Sequence, residues 1–541
     1  MNTAPQKKKY LGITSAVAVA ALVLAACGGE NGDADDSAEG ADAREGGTLT
    51  VGLGAGTTCV FPQQTFNFNA ASISRGIVDS LTDQDPETGE IVPWLAEAWD
   101  INDDATEYTF YLRDDVTFSD GSPFDAETVV ANLDYISEMG PQSSRGSAYM
   151  GNYDYSEAVD EHTVTVHFSQ PSAHFLVGTS TLIFGMLSLD TTALTIEERC
   201  QGDIVGTGPF VLQEYEQDSR ALVTRREGYD WSSELAVHSG DAYLEEIEYL
   251  WQEVSNVRAG ALTSGQIDVA MDLSPQDVQS VEEAGASVMP GTQPGLPGSF
   301  VSNVERDVSG DAGVRRAMNI ALNREEIVQT VLGDHFDPAY SIVTSTLREY
   351  NDNSEELAYD PEGAEEILDE AGWEMGDDGV RERDGIPLEF TVTYTDDFGA
   401  FYTPMLQLIQ QQLGDIGMDV NLDNTTTAGI TEILQTHEFD FFITTITESD
   451  PDMVRAAISN YMHPSAVEDH GLEEPFDEQQ ALSDPDERAV VWGDIQDIVM
   501  EHALLIPVFE GTQLTGVGEN VEDVRYDFKS MVTFYDTYLT D

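Results

Sequence analysis

Negative charge is the strongest constraint on how this chain can fold. Its 541 residues include 101 Asp and Glu against 23 Lys and Arg, a formal net charge of −78. A compact fold must overcome this self-repulsion, which salt relieves because the Debye length falls to ~3 Å at 1 M. We therefore expect adaptation to a salty medium. We exclude nucleic acid as a partner, because its recognition needs a basic surface.

An apolar segment ends at a single cysteine near the N-terminus. Lysines 7–9 precede a run of apolar or small residues at 11–26, and Cys27 follows. This order is typical of a secretory signal, and the run is shorter than the ~20 apolar residues of a membrane-spanning helix. The sequence LAAC at 24–27 resembles a bacterial lipobox, which implies cleavage before Cys27 and its acylation. An ordinary secretory signal with an incidental cysteine is the alternative.

A polar, glycine-rich stretch follows and predicts a flexible acidic linker over residues 27–46. It has no large apolar side chain to bury, so it cannot offset its own ordering entropy. The folded part begins near Gly47, and its ~495 residues are enough for two or three lobes. Once the signal is removed, Lys529 is the only lysine. Cys59 and Cys200 are an even pair of cysteines in an oxidising compartment, so a disulfide is expected.

Hydrophobic periodicity predicts a mixed α/β protein without repeats or further transmembrane segments. Strands are predicted at 47–52, 163–168 and 439–446, and at 106–118, where Tyr108, Phe110 and Leu112 alternate on one face. Helices are predicted from several capping patterns. Asp125 is the expected N-cap of a helix whose apolar stripe is Val129, Val130, Leu133 and Ile136, and Asn323 with Glu326 forms a capping pattern. Asp360 caps another helix, in which Pro361 lies in the first turn, Ile367 and Leu368 face inward and Gly372 marks the end. A further helix is predicted at 403–416, before Gly417.

Seven segments together resemble family 5 of the bacterial extracytoplasmic solute-binding proteins, the oligopeptide, dipeptide and nickel group of ABC-importer receptors. They are GGTLTVG, VPWLAEAW, YTFYLRDDVTFSDGSPFDAETVV, GTGPFVLQEY, LTSGQIDVAMDL, VRRAMNIALNREEIV and AEEILDEAGW. Each segment is a weak signal alone. Their order and spacing carry the resemblance from Gly46 to the C-terminus.

The resemblance implies an α/β, two-lobed periplasmic-binding-protein-like fold of type II, in its large cluster, with an extra α/β domain inserted into the first lobe. Cargo is enclosed when the lobes close. The expected division is a signal peptide at 1–26, the linker at 27–46, first-lobe parts at 47–88, 203–301 and 507–541, the inserted domain at 89–202, and the second lobe at 302–506.

The resemblance also implies a function. We expect a lipid-anchored, extracytoplasmic and monomeric receptor that binds a peptide or small molecule and delivers it to ABC permease subunits with their ATPase. Peptide cargo is the first expectation, and a nickel or other metal chelate or another non-peptide solute is the alternative. No cofactor and no resident metal are expected. A signalling lipoprotein of the same fold is a further alternative.

The sequence gives an enzyme little support. The segment GLGAG at 52–56 would need a glycine at position 57 to form a dinucleotide loop, and Thr57 stands there. His437 has no second histidine four residues on, so a zinc-protease helix is excluded. His463 and His470 form an incomplete metal site and are interpreted as surface histidines. No nucleophile elbow occurs.

Candidate ligand-binding residues follow from the resemblance. Peptide-binding relatives carry an Asp four residues before a Pro in the second lobe, where it holds the peptide's amino group. Here Thr447 occupies that position before Pro451, so we expect Glu448 to serve as the carboxylate for a cation. Asp450 is a second candidate, although its position before Pro451 also fits a helix N-cap. We expect the loop after the first strand, including Thr57, Thr58 and Phe61, to line the opposite wall of the cleft.

The charge imbalance predicts that salt stabilises the protein. The unfolding temperature should rise as NaCl increases from ~0.1 M to ~2 M, because screening weakens the self-repulsion of the compact state. Differential scanning calorimetry measures this directly. An unfolding temperature that stays constant over this range would contradict the prediction.

Overall fold

The computed structural model describes residues 45–54, 59–64, 68–463 and 465–540. Cys27, Thr57 and Thr58, which the sequence analysis singles out, lie outside the described residues. The described chain contains both helices and strands throughout its length, as the hydrophobic periodicity predicts. Among the described helices, none is both long and apolar enough to cross a bilayer.

The strands are short, and many contain only two to six residues. They are β1 Thr48–Leu53, β2 Thr82–Gln84, β3 Ile91–Pro93, β4 Ala96–Ile101, β5 Glu107–Leu112, β6 Tyr153–Asp160, β7 Thr163–Phe168, β8 Phe210–Glu216, β9 Arg220–Arg225, β10 Glu246–Trp251, β11 Val269–Ala270, β12 Ser287–Thr292, β13 Gly295–Ser302, β14 Glu374–Met375, β15 Arg381–Arg383, β16 Ile386–Pro387, β17 Glu389–Tyr394, β18 Asp419–Asn424, β19 Phe441–Thr447, β20 Leu505–Phe509, β21 Thr512–Val517, β22 Val521–Glu522, β23 Arg525–Tyr526, β24 Val532–Thr533 and β25 Tyr538–Leu539.

The α-helices range from single turns to 17 residues. They are α1 Phe68–Arg75, α2 Ala126–Met139, α3 Ser144–Met150, α4 Phe175–Gly178, α5 Leu189–Thr192, α6 Ile196–Arg199, α7 Ser255–Thr263, α8 Val278–Glu283, α9 Ala312–Ala321, α10 Arg324–Ile327, α11 Pro361–Glu370, α12 Tyr402–Asp415, α13 Thr427–Thr436, α14 Met453–Ala456, α15 Ala466–Asp469, α16 Glu473–Gln480 and α17 Pro485–Glu501.

A seven-stranded sheet combines distant parts of the sequence. Its order is β12-β21-β11-β1-β10-β9-β8. β1 lies parallel to β10 and β11, and β21 from near the C-terminus runs antiparallel to β11 and β12. The lobe built on this sheet is therefore discontinuous in sequence. Its core includes Leu49, Val51, Leu53, Val223 and Tyr249.

A five-stranded sheet, in the order β18-β17-β19-β13-β20, forms the framework of the other lobe. Strand β19 lies between β17, to which it is parallel, and β13, to which it is antiparallel. Its first residues, Phe441 and Phe442, are at most 1% exposed, as a continuous apolar run predicts for a central strand. The sequence-based boundary at 302 assigned most of β13 to the first lobe. Its hydrogen bonds to β19 and β20 instead make it part of this sheet.

The segment between β1 and β8 contains a four-stranded antiparallel sheet, β4-β5-β7-β6. Tyr108, Phe110 and Leu112 of β5 are at most 4% exposed, so the alternation predicted from the sequence is confirmed. Helix α2 packs beside β6 and β7, and Asp125 caps it by accepting a bond from the Thr128 backbone N–H at 2.9 Å. We call β4–β7 with α2 and α3 the inserted domain.

Other predicted caps are also present. Asp360 accepts a bond from the Gly363 backbone N–H at 2.9 Å, and Pro361 is the first residue of α11. Gly372, just beyond that helix, has a φ of +84°, a conformation that favours glycine. Asn323 accepts a bond from the Glu326 backbone N–H at 3.1 Å, which caps α10.

Cys59 and Cys200 form a disulfide in the structure, with their Cα atoms 4.5 Å apart. The bridge joins the segment after β1 to the residue that follows α6, across a sequence separation of 141. A bridge over so long a loop stabilises a protein by ~2–4 kcal/mol, chiefly by restricting the unfolded chain.

Candidate ligand-binding site

The candidate site forms where strand β19 ends. Thr447, the last residue of β19, pairs with Gly295, and the Glu448 backbone N–H donates to the Pro294 carbonyl at 3.1 Å. Gly295 has a φ of +126°, and a Cβ added there would lie 2.0 Å from the Ile446 carbonyl oxygen. Only glycine fits this close approach. The backbone of Glu448 is thus held at the end of a central strand.

Three side chains from other parts of the chain surround the Glu448 carboxylate. Arg145 of α3 donates from Nη1 to Oε1 at 2.5 Å. Lys529 Nζ lies 2.9 Å from Oε2, and the Tyr149 hydroxyl lies 3.2 Å from the same oxygen. We call these four residues the Glu448 cluster. It joins the five-stranded lobe to the inserted domain and to the C-terminal segment.

Lys529 is held in place by its own loop. It lies between β23 and β24, where Asp527 Oδ1 accepts bonds from the backbone N–H groups of Lys529 and Met531, both at 2.9 Å. The Lys529 side chain is 10% exposed. Burial lowers the pKa of its ammonium below the ordinary value, although Glu448 opposes this shift.

The Glu448 carboxylate remains ionised. Burial by itself would raise its pKa, but Arg145 and then Lys529 outweigh burial and hold the pKa below its ordinary value. The cluster therefore contains two cations and one carboxylate. Arg145 Nη1 also donates to the Thr447 carbonyl at 2.6 Å, which is an uncharged acceptor. Within the cluster the positive charges therefore exceed the negative one, and Asp527 is a further carboxylate near Lys529.

This environment changes the role predicted for Glu448. The sequence analysis expected a carboxylate available to a ligand's amine, whereas both oxygens already accept bonds from cationic side chains. An ammonium has three N–H donors, and Lys529 directs one of them to Glu448. The donors that remain suit an anionic ligand group, and the arrangement as a whole is better matched to a carboxylate than to an amine.

Asp450 is a buried ion-pair partner and is not the N-cap residue of a helix, although its Oδ1 accepts a bond from the Asp452 backbone N–H at 2.9 Å. Helix α14 begins at Met453 with Asp452 as its N-cap residue. Asp450 instead accepts two bonds from Arg488 of α17, at 2.6 and 2.8 Å, with both side chains at most 7% exposed. Burial would raise the pKa of Asp450, but Arg488 reverses the shift and holds it low. A buried guanidinium needs this partner, and the local sequence around Pro451 cannot reveal it.

The other predicted wall residue that the structure describes is also differently placed. Phe61 is fully buried, packs edge-on against Tyr135 and lies beneath the Arg199 guanidinium at 4.8 Å. It is a core residue and does not line a cleft. Thr447 is 7% exposed and contributes its carbonyl to Arg145. No group of three or more potential metal ligands occurs among the described residues.

Sequence reasoning missed Arg145 and Tyr149, which lie 303 and 299 residues from Glu448. No local pattern marks either of them. Lys529 did carry a signal, because it is the only lysine beyond residue 9. In a chain that otherwise excludes lysine, a retained one indicates a specific contact.

The comparisons with known proteins agree with this architecture. Residues 90–465 match the model described as bacterial extracellular solute-binding proteins, family 5 Middle. The chain belongs to this family. The predicted family and the two-lobed α/β fold class are therefore confirmed.

Among its family 5 relatives, the dipeptide-binding protein of Escherichia coli K12 is 28% identical over 310 residues. That match covers 53% of this chain and only 56% of the relative. Di/tripeptide-binding protein 2 of Pseudomonas aeruginosa is 24% identical over 494 residues, covering 85% of this chain and 88% of the relative. The crystal structure of NikA from Brucella suis in complex with Fe(III)-EDTA has the same fold, with a TM-score of 0.79 and 21% identity, over 91% of this chain and all of that one. The first two of these relatives are binding proteins by name.

The geometry around Asp450 predicts a large loss of stability in the variant Asp450→Asn. The change leaves the Arg488 guanidinium buried without a carboxylate, and breaking such a pair costs ~3–5 kcal/mol. Urea unfolding followed by circular dichroism measures the free energy. As a matched control, Asp486→Asn removes the carboxylate of the exposed Arg348–Asp486 pair and should change stability little. A loss below ~1 kcal/mol in Asp450→Asn would instead fit a capping role, since Asn also caps well.

Proposed function

We propose that this chain is the receptor of an ABC importer and that its cargo is a short peptide with a free C-terminal carboxylate. Family membership supports a solute receptor that works with a permease and its ATPase. Two relatives are named for dipeptide and di/tripeptide binding, which supports peptide cargo. The receptor binds its solute without transforming it, and we propose that it acts as a monomer.

The excess positive charge of the Glu448 cluster carries this proposal. Relatives that hold peptides by the amino group use a carboxylate at the position of Thr447, so that anchor is absent here. Arg145 and Lys529 supply two cations at the same end of β19, and Glu448 neutralises only one of them. A ligand carboxylate that approaches Lys529 completes the charge balance and gains charge-assisted hydrogen bonds.

Lobe closure makes this interaction selective. The three charged residues of the cluster come from three separate parts of the fold, so closure brings them around the ligand and removes water from it. In the desolvated site an unpaired charge is costly, and a solute without a carboxylate leaves the second cation unsatisfied. The receptor therefore discriminates against solutes without a carboxylate, because their binding leaves a buried cation unpaired.

A metal chelate with several carboxylates is the second candidate. The structural relative NikA was crystallised with Fe(III)-EDTA, and EDTA is a polycarboxylate. The same cations could pair with a free or metal-bound carboxylate arm of such a chelate. The two candidates predict different results in a binding experiment: the first predicts one-to-one binding of a peptide, and the second predicts one-to-one binding of a metal chelate.

Isothermal titration calorimetry with Met-Leu, Met-Leu amide and Fe(III)-EDTA tests the proposal. We expect Met-Leu to bind about tenfold or more tightly than its amide, because a hydrogen bond to a charged group contributes ~1.5–3 kcal/mol. The variant Lys529→Met should weaken Met-Leu binding by a similar factor. The control Arg348→Gln, at an exposed surface pair, should bind like the wild type.

Equal affinity for Met-Leu and its amide would contradict the carboxylate-directed mode. Binding of Fe(III)-EDTA alone would favour the second candidate. Because the comparison of peptide and amide uses the unaltered protein, its result does not depend on how well the Lys529 variant folds.

We also propose that Cys27 anchors the receptor to the cell membrane through acyl chains, with residues 28–46 as the tether. The support is the order of lysines, apolar run and LAAC segment in the sequence. Tethering would benefit an importer receptor, because it raises the effective concentration of the receptor at the permease.

The variant Cys27→Ala tests the anchor. Without the acylation site, the protein should remain unprocessed or appear in the medium, and labelling with a radioactive fatty acid should be lost. Fractionation with immunoblotting and intact mass measurement provide the readout. Correctly cleaved Cys27→Ala protein that stays with the membrane would contradict the proposed anchor.

A further inference from the structure

A cavity that is lined by none of the four residues of the Glu448 cluster lies between the seven-stranded lobe, the β2–β3 hairpin and the β23–β24 hairpin. Its volume is about 280 Å³, close to the lower end of the ~300–1,000 Å³ range of small-molecule sites. Its walls combine aromatic side chains with acidic ones. The acidic wall residues are Asp79, Asp83, Asp85, Glu87, Asp527 and Asp536. The aromatic wall residues include Phe210, Tyr249, Phe534 and Tyr535.

Arg75, at the end of α1, places a positive charge in this cavity. The residue is 7% exposed, and its guanidinium donates to Ser80 Oγ at 2.8 Å and stacks on the Trp94 ring at 4.5 Å. Both of these partners are neutral. None of the described carboxylates forms an ion pair with Arg75, although Asp79 and Asp527 lie close enough for its charge to oppose the rise in pKa that burial causes in both. A guanidinium has five N–H donors, and those that Ser80 does not use can bind an anionic group.

Asp527 brings a negative charge to the same cavity. Its Oδ1 accepts the backbone bonds from Lys529 and Met531, whereas Oδ2 accepts none among the described residues. Burial raises the pKa of this carboxyl to about 6, although Arg75 opposes the shift. The Asp527 carboxylate would therefore gain from a cationic partner in the cavity.

Two further polar atoms lack partners in the described structure. Ser72 on α1 is 2% exposed and Gln84 at the end of β2 is 6% exposed. Neither Ser72 Oγ nor Gln84 Oε1 makes a hydrogen bond, and both residues line the cavity. Unpaired buried polar atoms are rare because each costs ~1–3 kcal/mol. Both atoms are therefore available to a ligand in this cavity.

We propose that this cavity binds a free α-amino acid with an apolar side chain. The ligand carboxylate pairs with Arg75, its ammonium with Asp527 Oδ2 and Gln84 Oε1, and its side chain packs against the aromatic wall. A ligand with a single charge pairs with only one of Arg75 and Asp527. A zwitterion pairs with both, and it enters the negatively charged protein without adding net charge.

The proposal is independent of the solute that occupies the cleft at Glu448. Ser72 lines this cavity but not the smaller void that connects Arg75 and Asp527 with Lys529 and Ser449. A change at Ser72 therefore tests the amino-acid site without touching the Glu448 cluster.

Matched probes on the unaltered protein provide the first test. Calorimetry is carried out with L-leucine, 3-methylbutylamine and 4-methylpentanoate, and with L-phenylalanine, 2-phenylethylamine and 3-phenylpropionate. We expect at least one amino acid to bind with one-to-one stoichiometry, and each of its analogues, which lack one charge, to bind about tenfold or more weakly. No binding of either amino acid up to ~10 mM, or equal binding of an analogue, would overturn the proposal.

Variants then locate the site. Ser72→Leu fills the cavity and should abolish amino-acid binding. Asp527→Asn keeps an oxygen for the two backbone bonds, removes the charge and should weaken binding about tenfold. The control Asp377→Asn lies in an exposed turn and should bind like the wild type. Thermal unfolding checks that each variant is folded, and undiminished binding by folded Ser72→Leu protein would refute the assignment to this cavity.

Discussion

The structure depends on a small number of buried positive charges. Although acidic residues outnumber basic ones by more than four to one, eight of the arginines that the structure describes are less than 9% exposed. Several of them bind main-chain carbonyls instead of carboxylates: Arg258 binds those of Gln252, Met271 and Asp272. A planar guanidinium can hold several carbonyls at once, which a lysine ammonium does with less geometric precision. The eight residues are Arg75, Arg199, Arg226, Arg258, Arg315, Arg324, Arg381 and Arg488.

The Glu448 cluster applies the same chemistry to the functional site. Glu448 would be a costly residue at a buried strand end without compensation, and Arg145 and Lys529 provide more positive charge than it needs. In the function we propose, this surplus connects the fold to solute binding, because one set of charges both joins three parts of the chain and leaves capacity for an anion. The buried Asp450–Arg488 pair nearby is balanced and has a structural role.

The parts of the fold that were predictable from the sequence are those encoded locally. The caps at Asp125 and Asp360 depend on residues within a few positions, and the alternation in β5 follows from the pleat of a strand. The two-lobed architecture was predicted from a family resemblance spread over the chain. The order of the sheet strands was not, since β1 and β21 belong together only through contacts across the whole sequence.

The candidate site was predicted only in part, for the same reason. Its location near β19 was identified, but the partners of Glu448 and Asp450 come from segments that carry no pattern of their own. In the sequence, an aspartate before a proline fits a helix cap equally well whether or not an arginine from another helix pairs with it in the folded protein. Phe61 was misplaced because apolar residues after a strand line clefts and cores alike, and only tertiary packing separates the two.

The reactivity of Lys529 can also report on the conformation of the protein. Beyond residue 9, the side chain of Lys529 is the single primary amine, and it is enclosed between two lobes and bonded to a carboxylate. Reagents that acylate amines therefore have one side-chain target in that part of the chain, and the rate of its modification reports how often the enclosure opens. A fluorophore attached there would mark each molecule at one position, with no engineered cysteine and no background from the acidic surface.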